Sequence, residues 1–355
     1  MGSVATPLRA GRVRGMTDRR KGIVTAGTWC VDRNKLIEFW PPEDAVVEIA
    51  SVETRGGGSA CNLGVDIKKL DPDLPVETIG LVGDDDDGRF LIAEADAHGI
   101  DRAQLRVTAE APTQYTDAYG SRRSGRRTHI FYQGTAAHLT PDHFDLDRTF
   151  GRILHLGLPG IHRRMDAPWE GWPSGWVAVL RRARAAGLET NLELASIDPA
   201  RLAGLVEPCL PHLDLLVVND VEIGAIAGEP TSRDGHTDVE ACVRAARRIL
   251  EEGAMRLVVA HFPTGAVALA QGGEPVRRPS VQVPREAIAG ANGAGDAFAA
   301  GFLYGHHEGW SLDDALSLAH ATAAASLRGI STTGSVESWR ACLDLARRWG
   351  WRDAC

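Results

Sequence analysis

A chain of 355 residues, 44% hydrophobic and 24% charged, carries enough apolar residues to bury a sizeable core, which excludes a disordered chain. Its formal net charge of -8 offers no general attraction for a phosphate backbone. Nucleic acid is therefore not an expected partner, and any phosphate chemistry must come from a local site.

Residues 1–21 are Arg-rich without apolar periodicity and read as a flexible basic tail. Within it, Met1-Gly2 with Thr6 fits the loose N-myristoylation pattern, and Met16 offers a second start. The tail lacks the apolar stretch of a secretory signal, and no run reaches the ~18 consecutive apolar residues of a membrane helix, so no membrane partner is expected. Cys30, Cys61, Cys209, Cys242, Cys342 and Cys355 show neither a C-x-x-C pair nor zinc spacing, which suits a reducing, cytoplasmic setting.

From Lys21 onward, short β-branched runs alternate with helical patterns. Ile23-Val24-Thr25 stops at Gly27, and Ala60, Leu63, Ile67 and Leu70 recur at helical spacing before the run Thr78 to Val82. Further runs are Ile153 to Leu156, Glu189 to Leu194, Leu213 to Val218, Leu257 to Val259 and Val267 to Leu269, with helices such as Val239 to Leu250 between them. Continuous apolar strands alternating with helices predict a doubly wound, mostly parallel α/β sheet covered on both faces, within a single domain over 22–355. Two segments, about 36–54 and 113–133, alternate apolar and polar residues around Pro41-Pro42 and an Arg-rich turn, Arg122 to Arg127. They predict half-exposed antiparallel strands forming a small β lid.

Chemistry is concentrated in Gly290-Ala291-Asn292-Gly293-Ala294-Gly295-Asp296-Ala297-Phe298, which opens a helical pattern. Small residues at a helix start let N–H groups close on an anion, and the helix dipole adds partial positive charge. Asp296 stands where a Walker A loop requires Lys, so a P-loop is excluded. A carboxylate inside an anion hole suits a base that receives a proton from an attacking hydroxyl. The same residues, taken alone, equally describe a helix that starts with Asp in its first turn.

The run Gly293-Ala294-Gly295-Asp296 with Ala-Phe resembles the C-terminal signature of the PfkB, or ribokinase-like, family of carbohydrate and nucleoside kinases. Gly57-Gly58 with Asn62, Asn219-Asp220-Val221-Glu222 and Ala319-His320-Ala321 follow in the order that family requires, so the resemblance spans residues 22–348. It implies ATP-dependent phosphorylation of a sugar or sugar-like hydroxyl. Asp296 would be the general base, and the N–H groups of Gly293, Ala294 and Gly295 would stabilise the transferring phosphoryl group. Asn219 and Glu222 would hold Mg²⁺ through water beside the nucleotide, although by themselves they read as a helix cap with an acidic first turn. Asp32, Gly57, Gly58, Asn62 and the lid residue Gln133 would bind the acceptor. Gly265, Asn292 and His320 would line the nucleotide site.

Departures from the family pattern carry expectations too. Gly290 and Ala291 stand where the family has Asp and Thr, so K⁺ is expected to stimulate weakly if at all. Ala260 and Phe262 replace the family's frequent Thr and Gly, reshaping the nucleotide pocket. A nucleoside acceptor would need an apolar base pocket, for which Trp29, Trp40, Tyr115 and Phe131 are the candidates. A sugar-binding regulatory protein without turnover is the non-enzymatic alternative. No G-x-G-x-x-G follows the first strand, which argues against a dinucleotide oxidoreductase. Exposed lid edges suggest a homodimer.

Overall fold

A computed structural model describes residues 20–329 and 331–355. The acylation pattern, Met16 and most of the basic tail lie outside them. Arg20, assigned above to the tail, is anchored: its Nη1 donates to the Thr149 carbonyl at 2.8 Å.

Among the described residues, fifteen strands follow in chain order. They are β1 (Ile23–Gly27), β2 (Cys30–Ile37), β3 (Ile49–Gly57), β4 (Val76–Gly83), β5 (Asp101–Thr108), β6 (Tyr115–Ser121), β7 (Arg127–Tyr132) and β8 (Ile153–Gly157), followed by β9 (Glu189–Leu192), β10 (Leu215–Asn219), the two-residue β11 (Ser232–Arg233) and β12 (His236–Thr237), β13 (Leu257–Phe262), β14 (Gly265–Ala270) and β15 (Val276–Pro279). Nine of them form one sheet in the order β15-β14-β13-β10-β9-β8-β1-β4-β5. From β5 to β13 neighbouring strands are parallel. Every residue of β1, β4 and β8 is buried, as expected of strands covered on both faces. Helices fill both layers: Phe298, Phe302 and Leu63 belong to one apolar cluster, Trp176, Val179 and Ile249 to a second.

The sheet departs from the sequence reading at its edge. β14, read above in series with the parallel strands, pairs antiparallel with β13 and β15. Only Pro263 and Thr264 separate β13 from β14, too short a link for the crossover that a parallel pair needs.

The lid is a separate four-stranded sheet ordered β3-β2-β6-β7. Both hairpins, β2/β3 and β6/β7, are antiparallel as expected, while β2 and β6 join them through a parallel pairing from Val31–Tyr115 to Ile37–Ser121. The first hairpin reaches back to Cys30 and forward to Gly57, beyond the alternating segment, because its base is buried in the body of the molecule. No helix among the described residues is long and apolar enough to cross a membrane.

Candidate active site

Parallel strands converge with their C-terminal ends on one side of the sheet, where loops carry the reactive groups of open α/β folds. The helix Ala294–His307 begins there. Its N-cap, Gly293, has φ 75, and a Cβ on it would lie 2.6 Å from the Thr332 carbonyl oxygen. Only glycine fits that left-handed turn. It brings Asp296 into the first helical turn, where Asn62 Nδ2 donates to Asp296 Oδ2 at 2.7 Å. The Thr332 hydroxyl donates to Asn62 Oδ1 at 3.0 Å and so fixes the orientation of the amide.

A residue that the motif reading missed completes this group. Glu193, just beyond β9, lies against Asp296, close enough that each carboxyl bears on the other's protonation. The Val217 N–H donates to Asn191 Oδ1 at 3.2 Å, which turns Asn191 Nδ2 toward His155 Nδ1 at 2.9 Å. His155 Nδ1 must then accept, which leaves its proton on Nε2 facing Glu193 Oε2, its hydrogen-bond partner. Burial keeps that imidazole neutral, pushing it down to about 4. Asp296 is enclosed by protein yet keeps part of its surface open to the cleft. Burial, followed by the charge of Glu193, pushes it up to about 8, and burial pushes Glu193 up to about 7. Two carboxyls in contact cannot both ionise freely, so the pair retains a proton near neutrality.

Asp32 faces this pair from β2. Burial, opposed by the Cys30 thiol and reinforced by Asp296, pushes it up to about 6. Its neighbours explain the glycines: a Cβ on Gly57 would lie 2.3 Å from the Asp32 carboxyl, and one on Gly58 would strike the Thr28 carbonyl at 2.6 Å. Asp32, Gly57, Gly58, Asn62 and Asp296 therefore meet, although their motifs are far apart in the chain.

Across the glycine turn lies a cavity of about 670 Å³ bordered by Ala294, Gly295, Asn219, Glu222 and His320. Phe262, Val281, Ile288 and Leu327 supply apolar walls suited to a planar ring, so the unusual Phe262 is a wall of the pocket. His320 is 4% exposed, its Nε2 has no partner among the described residues, and burial followed by His261 pushes it down to about 3. A neutral imidazole with an unused nitrogen can bond a heteroatom of a bound ring. Asn219 and Glu222 form a capping box, with Asn219 Oδ1 accepting from the Glu222 N–H at 2.8 Å and Glu222 Oε2 from the Asn219 N–H at 3.0 Å. Burial pushes Glu222 up to about 7, with Asp296 and Asp220 adding to it. A cation beside it would offset the cost of ionising that buried carboxyl. That fits Mg²⁺ held largely by phosphates and water.

Three expected site residues are placed elsewhere. Gly265 opens β14 and backs onto Cys355, because the tight β13/β14 hairpin turns it away from the cavity. Gln133 Nε2 donates to the Ile161 carbonyl at 2.6 Å, while its Oε1 accepts from Arg163 at 3.2 Å. Those bonds commit it to a separate surface hollow with Phe131 and Arg201. Asn292 faces the lid, its Nδ2 donating to Asn34 Oδ1 at 3.4 Å, and lines a second cavity on that side rather than the one beside Ala294 and Gly295. The aromatic candidates do not assemble either: Trp29 is buried and donates to Thr78, Trp40 packs on Tyr119, and Tyr115 stacks on Tyr132.

Fold and site together define a small-molecule kinase. The family model described as pfkB family carbohydrate kinase matches residues 22–339, and the chain belongs to that family, a phosphotransferase acting on a hydroxyl group. It is 24% identical over 304 residues to a ribokinase of Arabidopsis thaliana, covering 85% of this chain and 74% of that one. Identity is 26% over 283 residues with an ATP-dependent ribose-1-phosphate kinase of Halopiger xanaduensis, covering 79% and 83%. Among solved structures, the Arabidopsis thaliana ribokinase complexed with ribose and ATP superposes with a TM-score of 0.73 at 21% identity, over 92% of this chain and 99% of that one.

Proposed function

We propose that this protein transfers the terminal phosphoryl group of ATP to a hydroxyl of a sugar or sugar-like polyol, with Asp296 as the general base. The observation that carries the reading is Asp296, held by Asn62 in the first turn of a helix whose opening residues Ala294 and Gly295 border the large cavity. Asp32 holds neighbouring hydroxyls of the acceptor, and Gly57 and Gly58 let it approach. One hydroxyl then points at Asp296, which takes its proton late in a loose phosphoryl-transfer step. Glu193, with His155 behind it, sets how readily that proton is accepted. The N–H groups of Gly293, Ala294 and Gly295 offset charge on the moving group. Mg²⁺, held by Glu222 and Asn219 through water, would neutralise the phosphates when bound. With Gly290 in place of a carboxylate, K⁺ stimulates weakly.

Polar lid residues and the dispersal of Trp29, Trp40 and Tyr115 favour a polyol over a nucleoside. The six unpaired cysteines suit a cytoplasmic setting, and pairing of exposed lid edges would make a homodimer. The test is ADP release with sugars and nucleosides under ATP and Mg²⁺. At least one sugar or polyol should be used more efficiently than adenosine and inosine. Tenfold better use of a nucleoside than of every sugar would reject the acceptor class.

A further inference from the structure

Between the lid and the loop that precedes the glycine turn lies a cavity of about 590 Å³, separate from the nucleotide pocket apart from the shared wall at Ala291. Its polar groups are mostly donors. Asn34 is only 8% exposed, and with its Oδ1 turned to Asn292, its Nδ2 has no partner among the described residues. Arg127 is half-buried and its Nη1 is likewise without a partner. Its Nη2 lies 2.3 Å from where a Cβ on residue 290 would stand, so with Gly290 the guanidinium packs directly on this loop. Arg122 and Arg126 line the same cavity, and none of these three arginines has a carboxylate within 4 Å among the described residues. The two other opposed charges are already used: Lys35 pairs with Asp117 at 2.6 Å and Glu53 with Arg55 at 2.6 Å.

Buried donors are rarely left unmade in a native protein. Orphan N–H groups on a neutral amide and a guanidinium, in a hollow with surplus positive charge, match a carboxylate or phosphate. Position says which molecule brings it. Asn34 follows Asp32 by two residues on β2, so both side chains leave the same face of the strand, roughly 7 Å apart. One sugar can span that gap.

We propose that the acceptor is an acidic sugar, with a carboxylate or phosphate bound by Asn34 Nδ2 and Arg127 while its hydroxyls lie between Asp32 and Asp296. This rests on the sugar-kinase reading above and narrows it to anionic acceptors.

Calorimetry on the full chain at constant ionic strength, with a non-hydrolysable ATP analogue present, compares D-ribose with D-ribose 5-phosphate, D-glucose with D-gluconate and D-glucose with D-glucuronate. At least one acid should bind tenfold or more tighter than its neutral partner. Arg127→Met and the isosteric Asn34→Asp should each bring that preference to within about twofold, with affinity for the analogue kept. Neutral sugars binding equally well in every pair would overturn the proposal. So would an acid preference that survives both substitutions, or a loss confined to the analogue, which would assign the anion to the donor. Phosphoryl transfer on the same pairs separates the two readings. Asp296-dependent transfer without acid preference removes the subsite alone, whereas Arg127-dependent acid binding without transfer to any sugar removes the kinase acceptor reading and leaves the subsite.

Discussion

Replacing Glu193 with Gln should move the acidic limb of the pH–rate profile to lower pH. Asp296 must be unprotonated to accept a proton, so activity rises with pH through its apparent pKa. Burial and then Glu193 push that value up to about 8, so the pair holds a proton near neutrality and ionisation of Asp296 limits the rate on the acidic side. A unit charge about 4 Å away is worth roughly 4 kcal/mol at an effective dielectric of about 20, which corresponds to about three pH units as an upper bound. Burial itself remains in the variant, and Asn62 still donates to Asp296 at 2.7 Å. The limb of kcat/KM should therefore drop by about one to three pH units, and Glu193→Asp should restore most of the original profile. A purely structural loss would lower the whole curve without moving it. Superimposable limbs for wild type and Glu193→Gln would refute the coupling.

The same buried carboxyls set the stability of the ligand-free protein. Asp296, Glu193 and Glu222 have folded-state values above those of free carboxyls, so their contribution is full at low pH and lost as pH rises through about 7–8. Thermal denaturation should give a lower Tm at pH 8.5 than at 6.5, and Asp296→Asn should reduce that slope and raise Tm at pH 8 by about 2 °C; a flat profile in both would contradict this. Glu222→Gln should raise the Mg²⁺ concentration needed for half-maximal rate, which a magnesium titration reads directly; an unchanged titration would confine Glu222 to its capping box. Gly293→Ala forces a left-handed Ala against Thr332 and should cost about 2–4 kcal/mol in denaturant unfolding, and a loss under about 0.5 kcal/mol would show that the turn can relax.

Much of the site was legible because its glycines announce themselves. Gly293, Gly57 and Gly58 stand at close approaches that no side chain tolerates, and Asp296 and Asn62 follow within a helical turn of them. Glu193 had no such marker. A single Glu after an apolar strand becomes meaningful only when the parallel order of β9, β8 and β1 brings it beside a helix from the far end of the chain. The parallel β2/β6 pairing was hidden for the same reason, since alternation reveals a half-buried strand but not its partner. Gly265 was misread although its signal was present: two apolar runs separated by Pro263-Thr264 are a hairpin pattern. Gln133 and Asn292 were assigned by neighbourhood in the chain, whereas local hydrogen bonds decide where they point.

The most direct test is the turnover of Asp296→Asn with ATP, Mg²⁺ and the best acceptor found, beside its affinity for the nucleotide. If Asp296 takes the hydroxyl proton, kcat should fall by roughly 10²–10⁴-fold while nucleotide affinity stays within a few-fold of wild type. An Asn variant that keeps more than about half of the wild-type kcat would contradict the assignment.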